Sequence, residues 1–334
     1  MVRPLWGRVL PVCLLAVLLL APVVHADSIW ACVDQVNVGS YTDYLNNYLY
    51  THLGDNRNEN QPDHTAARNN IYTFFSTYGL DTSIQSGTYS GRAYNNVVGV
   101  HYGTTRPDDI YIIGAHYDSV SNPGADDNAS GVAGVLEAAR VLSQYPSDAT
   151  IVFIAFDREE DGLIGSYGYA GLHASDNILG MLCLDMIAYN PAGATHDYAR
   201  VYNNAASDPL ADQLQSALET YGGLSVNRPG NISASDHYPF QVRGFQAVLM
   251  IEYSVFENPY CHKVTDSVDT VGYIDYVFGT NMTRGAVALL ADEAGTRTPE
   301  PTTTALMVSA LVALGARVRG RRRVRITLLK FPGS

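Results

Sequence analysis

The sequence predicts an α/β fold of three layers, with a central mixed, mostly parallel sheet covered by helices on both faces. Three observations lead there. Short runs of branched and apolar residues, such as Ile110–Gly114 and Thr150–Phe156, lack the polar alternation of a half-solvated strand, so they read as strands buried on both faces. Segments of helical period separate these runs, which places the strands in one sheet with crossover helices. Acidic and imidazole side chains recur at or after the ends of the runs, the edge where open α/β sheets bind ligands.

Taken in order, Tyr41–Leu53 and about Thr65–Tyr78 read as helices. In the second, Ile71, Phe74, Phe75 and Tyr78 keep a helical period and Gly79 stops it. Val97–Val100 and Ile110–Gly114 read as strands. Asn128–Leu142 reads as a helix with Val132, Val135, Leu136, Ala139 and Leu142 on one face, capped by Asn128 or Ser130. Thr150–Phe156 is a strand, Ser166–His173 a helix, and Ile178–Ile187 and Val201–Tyr202 are strands. Pro209–Tyr221 is a helix, Phe245–Tyr253 the last strand and Ile274–Asp292 the final helix. The sequence contains no internal repeat.

The two ends read differently from this domain of residues 27–296. Arg3 and Arg8 precede the apolar run Val9–Leu20, and Val24-His25-Ala26 is a small-residue cleavage pattern, so residues 1–26 read as a secretory signal peptide. In residues 297–334, Pro299-Glu300-Pro301 precedes the apolar stretch Ala305–Ala316 and a cluster of arginines from Arg319 to Arg325. This tail resembles a PEP-CTERM sorting signal, although Ile326–Ser334 runs on past the arginines. The resemblance implies a short transmembrane segment, cutting by a membrane sorting protease, and an exported protein of a Gram-negative bacterium, located in the periplasm, on the outer surface or outside the cell. An ordinary membrane anchor is the competing reading. Between the ends, Asp27–Thr298 holds 12 Lys and Arg against 32 Asp and Glu, a formal charge of −20, which argues against nucleic acid as a partner. Cys32, Cys183 and Cys261 remain after leader removal. Cys183 and Cys261 form either a disulfide or two buried thiols.

The chemistry-bearing residues come one segment at a time. His116 and Asp118 are two apart, so on an extended segment they face the same way, and Asp118 can fix the His116 tautomer. Asp127 lies in Gly124-Ala125-Asp126-Asp127-Asn128, a turn without the acidic alternation of a calcium loop. Glu159-Glu160 is a pair of adjacent carboxylates, suited to a division between ligand and proton carrier. Asp185 is an acid inside an otherwise apolar strand, where a buried unpaired carboxylate is costly and a metal partner is the more economical reading. His262 lies in the loop after the last strand. Two imidazoles and three carboxylates can hold two zinc ions if one carboxylate bridges.

Over roughly Thr65–Leu290 the segments together resemble the double-zinc aminopeptidases typified by the bacterial leucyl enzymes. The likeness rests on His116-Tyr117-Asp118-Ser119, Gly124–Gly131, Glu159–Ser166, Asp185-Met186, Ser235-Asp236-His237 and His262–Asp266. It implies a zinc exopeptidase fold acting on peptides, with Asp127 bridging two zinc ions. His116 and Asp185 then complete one site, Glu160 and His262 the other. It further implies Glu159 as general base, Asp118 as the residue orienting His116, Asp236 and His237 on the substrate side, and a cis peptide after Asp127. The position before His262 is Cys261, where some members carry a tyrosine that steadies the oxyanion. Carboxypeptidases and the one-zinc glutaminyl cyclases share the fold, and an inactive surface binding module is the rival of another class.

Overall fold

The computed structural model describes residues 28–191 and 197–298. The expected leader, residues 1–26, and all but the first two residues of the expected tail, 297–334, lie outside the described residues. Among the described residues, no helix is long and apolar enough to cross a membrane.

Eight strands form one sheet: β1 (Asp81–Tyr89), β2 (Arg92–His101), β3 (Arg106–His116), β4 (Ala149–Phe156), β5 (Ile178–Leu184), β6 (Tyr198–Asn203), β7 (Ser225–Gly230) and β8 (Ala247–Glu252). Their spatial order is β1-β2-β4-β3-β5-β8-β6-β7. The four central strands, β4-β3-β5-β8, are mutually parallel. Antiparallel pairs β2/β4 and β6/β8 flank them, which makes the sheet mixed. The central runs are apolar throughout because each face meets its own core. Ile113, Phe153, Leu182 and Val248 enter one cluster, while their neighbours Ile112, Ile154, Cys183 and Leu249 enter the other.

The larger cluster is closed by α1 (Val38–Asn47), α2 (Pro62–Thr77), α3 (Gly131–Leu142), α5 (Asp208–Ala217) and α7 (Tyr276–Glu293). The smaller is closed by α4 (Ile164–Leu172) and α6 (His237–Val242). Residues 28–33 are also helical.

Several expectations are corrected. β1 was not predicted, because Asp81-Thr82-Ser83-Ile84-Gln85 is polar, as suits an exposed edge strand. It pairs with β2 through Ser90-Gly91, both at positive φ, the conformation a two-residue hairpin turn requires. β7 contains Pro229 and also lies on an edge, where a missing N–H is tolerated. The helix expected from Asn128 begins at Gly131, because Asp127 (φ −104°, ψ 90°) and Asn128 (φ −132°, ψ 43°) leave helical geometry. Of the two candidate caps, Asn128 does the work: its Oδ1 accepts from the Gly131 N–H at 3.0 Å. The strand expected over Ile178–Ile187 stops at Leu184, so Asp185 is the first residue beyond it.

Candidate metal centre

The parallel strands deliver the site. His116 ends β3, Glu159 and Glu160 follow β4, Asp185 follows β5, and His262 lies in the loop after β8. Asp127 sits in the turn between β3 and α3. Five of the predicted ligands therefore converge at the C-terminal edge of adjacent parallel strands, although the chain separates them by up to 146 positions (262 − 116).

The distances divide them into two groups that meet at Asp127. His116 Nε2 lies 3.3 Å from Asp127 Oδ1 and 3.6 Å from Asp185 Oδ1. His262 Nε2 lies 3.0 Å from Asp127 Oδ2 and 3.4 Å from Glu160 Oε2. Each oxygen of one carboxylate thus faces a different imidazole, and each imidazole faces a different second carboxylate. Asp127 and Asp185 are buried and Glu160 is partly so, and no lysine or arginine pairs with any of them among the described residues. Buried carboxylates whose close partners are imidazoles are a setting that a bound cation stabilises. The nitrogen and oxygen donors suit zinc. The residues present therefore fit the metal that the family resemblance implies.

The electrostatics carry the same imprint. Burial pushes the Asp127 carboxyl up, but its bonds with His116 and His262 outweigh this and hold it below the usual range. Burial lowers the His116 imidazole, and Glu159, Asp118, Asp127 and Asp185 together outweigh it and raise it well above its ordinary value. Bonds with Asp127 and Glu160 raise His262 to about 10. Burial raises Glu159 well above its ordinary value; His116 opposes this, and Asp185, Asp236 and Glu160 add to it. A cation bound among these groups reverses that balance and favours the carboxylates.

Asp118 does more than orient His116. Its backbone carbonyl accepts from His116 Nδ1 at 3.2 Å, with the carboxylate at 3.5 Å. The carboxylate accepts the backbone N–H groups of Glu159 and Glu160 at 3.1 and 3.2 Å. One side chain thereby locks the β4 loop to the end of β3. The Asp127–Asn128 peptide is cis.

Asp236 and His237 depart from the expected placement. Both are fully buried, and Ile232 and Ala234 form the pocket wall in that region. The His237 Nε2–H donates to the Ile232 carbonyl at 3.0 Å, and burial lowers this imidazole to about 4. Neither lines the pocket: His237 opens α6 and faces Ile232, while Asp236 precedes α6, buried within electrostatic reach of His116, Asp118 and Asp185. The cysteines are free thiols, which decides against the disulfide: Cys183 Sγ faces Ser235 Oγ at 3.3 Å, and Cys261 faces Asp127.

Sequence reasoning missed Arg57. Its guanidinium is buried and donates to the carbonyls of Tyr117, Pro123 and Gly124, the loop between His116 and Asp127. Nothing in Asp55-Asn56-Arg57-Asn58 distinguishes it from a solvated turn. Asp266 was seen only as part of a motif. It accepts the backbone N–H groups of Asp126 and Asp127 at 2.7 and 3.2 Å, and so holds the ligand turn from the other side.

A mixed α/β sheet whose parallel central strands gather histidines and carboxylates at their C-terminal edge forms a candidate metal centre. The chain belongs to peptidase family M28, whose model matches residues 96–278. It is 33% identical over 208 residues to aminopeptidase YwaD of Bacillus subtilis (strain 168), covering 58% of this chain and 44% of that protein. The chain therefore spans less than half of that relative. Among solved structures it is similar to an aminopeptidase from Aneurinibacillus sp. strain AM-1, with a TM-score of 0.70 and 19% identity over 81% of this chain and 97% of that one. It is also similar to the glutaminyl cyclase of Bacteroides thetaiotaomicron, with a TM-score of 0.63 and 19% identity over 76% of this chain and 97% of that one. At these identities the structural likeness shows the fold.

Proposed function

We propose that the protein is a zinc-dependent aminopeptidase that binds two ions and releases N-terminal residues from peptides. One observation carries this reading: the two oxygens of Asp127 face two different imidazole and carboxylate pairs. When bound, the ions supply Lewis-acid polarisation of the scissile carbonyl and a more acidic attacking water. The chain's own residues do the rest. Glu159 lines the pocket beside both groups, where its carboxylate takes the proton of the attacking water and returns it to the leaving amine. Asp118 fixes the backbone that carries Glu159. Ile232, Leu249, Ile251 and Phe256 form an apolar wall that receives an apolar side chain and excludes water. The carboxylates of the site attract the free α-amino group.

Glutaminyl cyclisation is the second reading, favoured by the structural likeness to a cyclase. It requires one zinc, whereas each oxygen of Asp127 here faces its own imidazole, which supports a two-ion reading. A panel of aminoacyl amides, C-terminally cleavable peptides and N-terminal glutaminyl peptides, run with and without chelator, separates the readings. Hydrolysis of the aminoacyl amides alone, lost on chelation and restored by zinc, is the expected result. Cleavage only at the C-terminus, or cyclisation without hydrolysis, would overturn the aminopeptidase assignment.

The localisation reading is export, with a membrane-associated tail that a sorting protease removes. It rests on the leader-like residues 1–26 and on the Pro299-Glu300-Pro301 tail with its arginines. Intact mass of protein from a native host is expected to lack both segments. A chain still ending at Ser334 would leave a plain anchor in place of processing.

A further inference from the structure

Cys261 stands apart from the other thiols. Cys183 is buried against Ser235 and Cys32 lies in the larger core, whereas Cys261 lines the pocket that holds the ligand groups. Its Sγ, an Asp127 carboxylate oxygen and a His262 ring nitrogen all lie within 4.8 Å of one another. The Sγ is 3.8 Å from Asp127 Oδ2, the same oxygen that lies 3.0 Å from His262 Nε2. Adjacent side chains on an extended strand point to opposite sides. Here His262 adopts a left-handed φ of 58°, which turns the chain and lets residues 261 and 262 face the same carboxylate.

The spacings within the Asp127, Cys261 and His262 trio are close enough for one ion. Zinc bonds of about 2.0–2.1 Å to nitrogen or oxygen and about 2.3 Å to sulfur place tetrahedral donors roughly 3.3 to 3.6 Å apart. The observed separations around Asp127 Oδ2 and His262 Nε2, 3.0, 3.4 and 3.8 Å, bracket that range, with the sulfur at the long end as its larger radius requires.

We propose that Cys261 is a ligand of the ion held by Asp127 and His262. This rests on the metallopeptidase reading and adds a residue to it. On ligation the thiol releases its proton to solvent, and the sulfur lone pair forms the bond; nothing is oxidised or reduced. A thiolate makes this position prefer thiophilic ions, while the position between His116 and Asp185 keeps only nitrogen and oxygen donors.

The test is metal-free, fully reduced protein titrated with Co(II) and with Cd(II), read by near-ultraviolet absorption and by competition with a chromophoric chelator. The expected result is a sulfur-to-metal charge-transfer band that Cys261→Ser abolishes and Cys183→Ser retains. Cys261→Ala should weaken one of the two ions at least about tenfold and leave the other unchanged. Circular dichroism checks that the variants fold, and the wild-type band with its Cys183→Ser control stands without them. Uptake of two ions without the band overturns the inference and leaves the peptidase reading intact, with the S–H donating to Asp127 instead. Failure of the wild type to take up any ion overturns both.

Discussion

Replacing Glu159 by glutamine is expected to leave the metal complement unchanged and to lower kcat by about 10²–10⁴, the usual contribution of a positioned general acid–base group. The amide is nearly isosteric, so the pocket keeps its shape. Glu159 is not among His116, Asp185, His262 and Glu160, the four side chains of the two groups that meet at Asp127, so neither group loses a member. What disappears is the ability to accept a proton. Its neighbour Glu160 cannot substitute, because it faces His262 and accepts the Val120 N–H at 3.2 Å. Asp118 cannot either, because its carboxylate is committed to the Glu159 and Glu160 N–H groups. KM should change little, since the apolar wall is untouched. Steady-state kinetics combined with metal analysis decides the matter: near-wild-type turnover at full metal content would remove Glu159 from the role of base.

Asp127→Ala is expected to lose both ions, whereas His116→Ala and His262→Ala should each weaken one. The asymmetry follows from geometry. Asp127 Oδ1 serves the group with His116 and Asp185, and Asp127 Oδ2 the group with His262 and Glu160. Removing the shared carboxylate deprives both; removing one imidazole deprives one. The turn itself should persist, because Asp266 holds the backbone N–H groups of Asp126 and Asp127, and Arg57 holds the carbonyls of Pro123 and Gly124. Native mass spectrometry with circular dichroism as a folding check reads the outcome. One ion retained at wild-type affinity in Asp127→Ala, or equal loss of both ions in the two histidine variants, would contradict a bridging Asp127.

Much of this was legible in the amino-acid order, for a physical reason. A strand buried on both faces must be apolar at every position, so β3, β4, β5 and β8 announced themselves as uninterrupted runs. Charged and imidazole groups at the ends of such runs stand out against that background, and the five candidate ligands and Glu159 were picked out in this way. Long helices with one apolar face, α2, α3 and α7, were equally readable. The edge strands β1 and β7 were not, because a solvent-facing edge imposes no apolar pattern. The short α6 was missed as well, since six residues hold too few turns to show a period.

Tertiary structure alone decided how the parts meet. The pairing of each imidazole with its carboxylates was implied by family resemblance, but only the convergence of four strand ends could supply the distances. Asp236 and His237, set beside the substrate on sequence grounds, are both buried and neither lines the pocket. Arg57 and Asp266 hold the Asp127 turn from segments remote in the chain, and bonds to backbone carbonyls and N–H groups leave no trace in residue pattern. The fate of the thiols was likewise open until the left-handed turn at His262 aimed Cys261 at Asp127 while Cys183 entered the opposite core. Local sequence records which surface a residue must bury; which distant group it then faces is a property of the packed sheet.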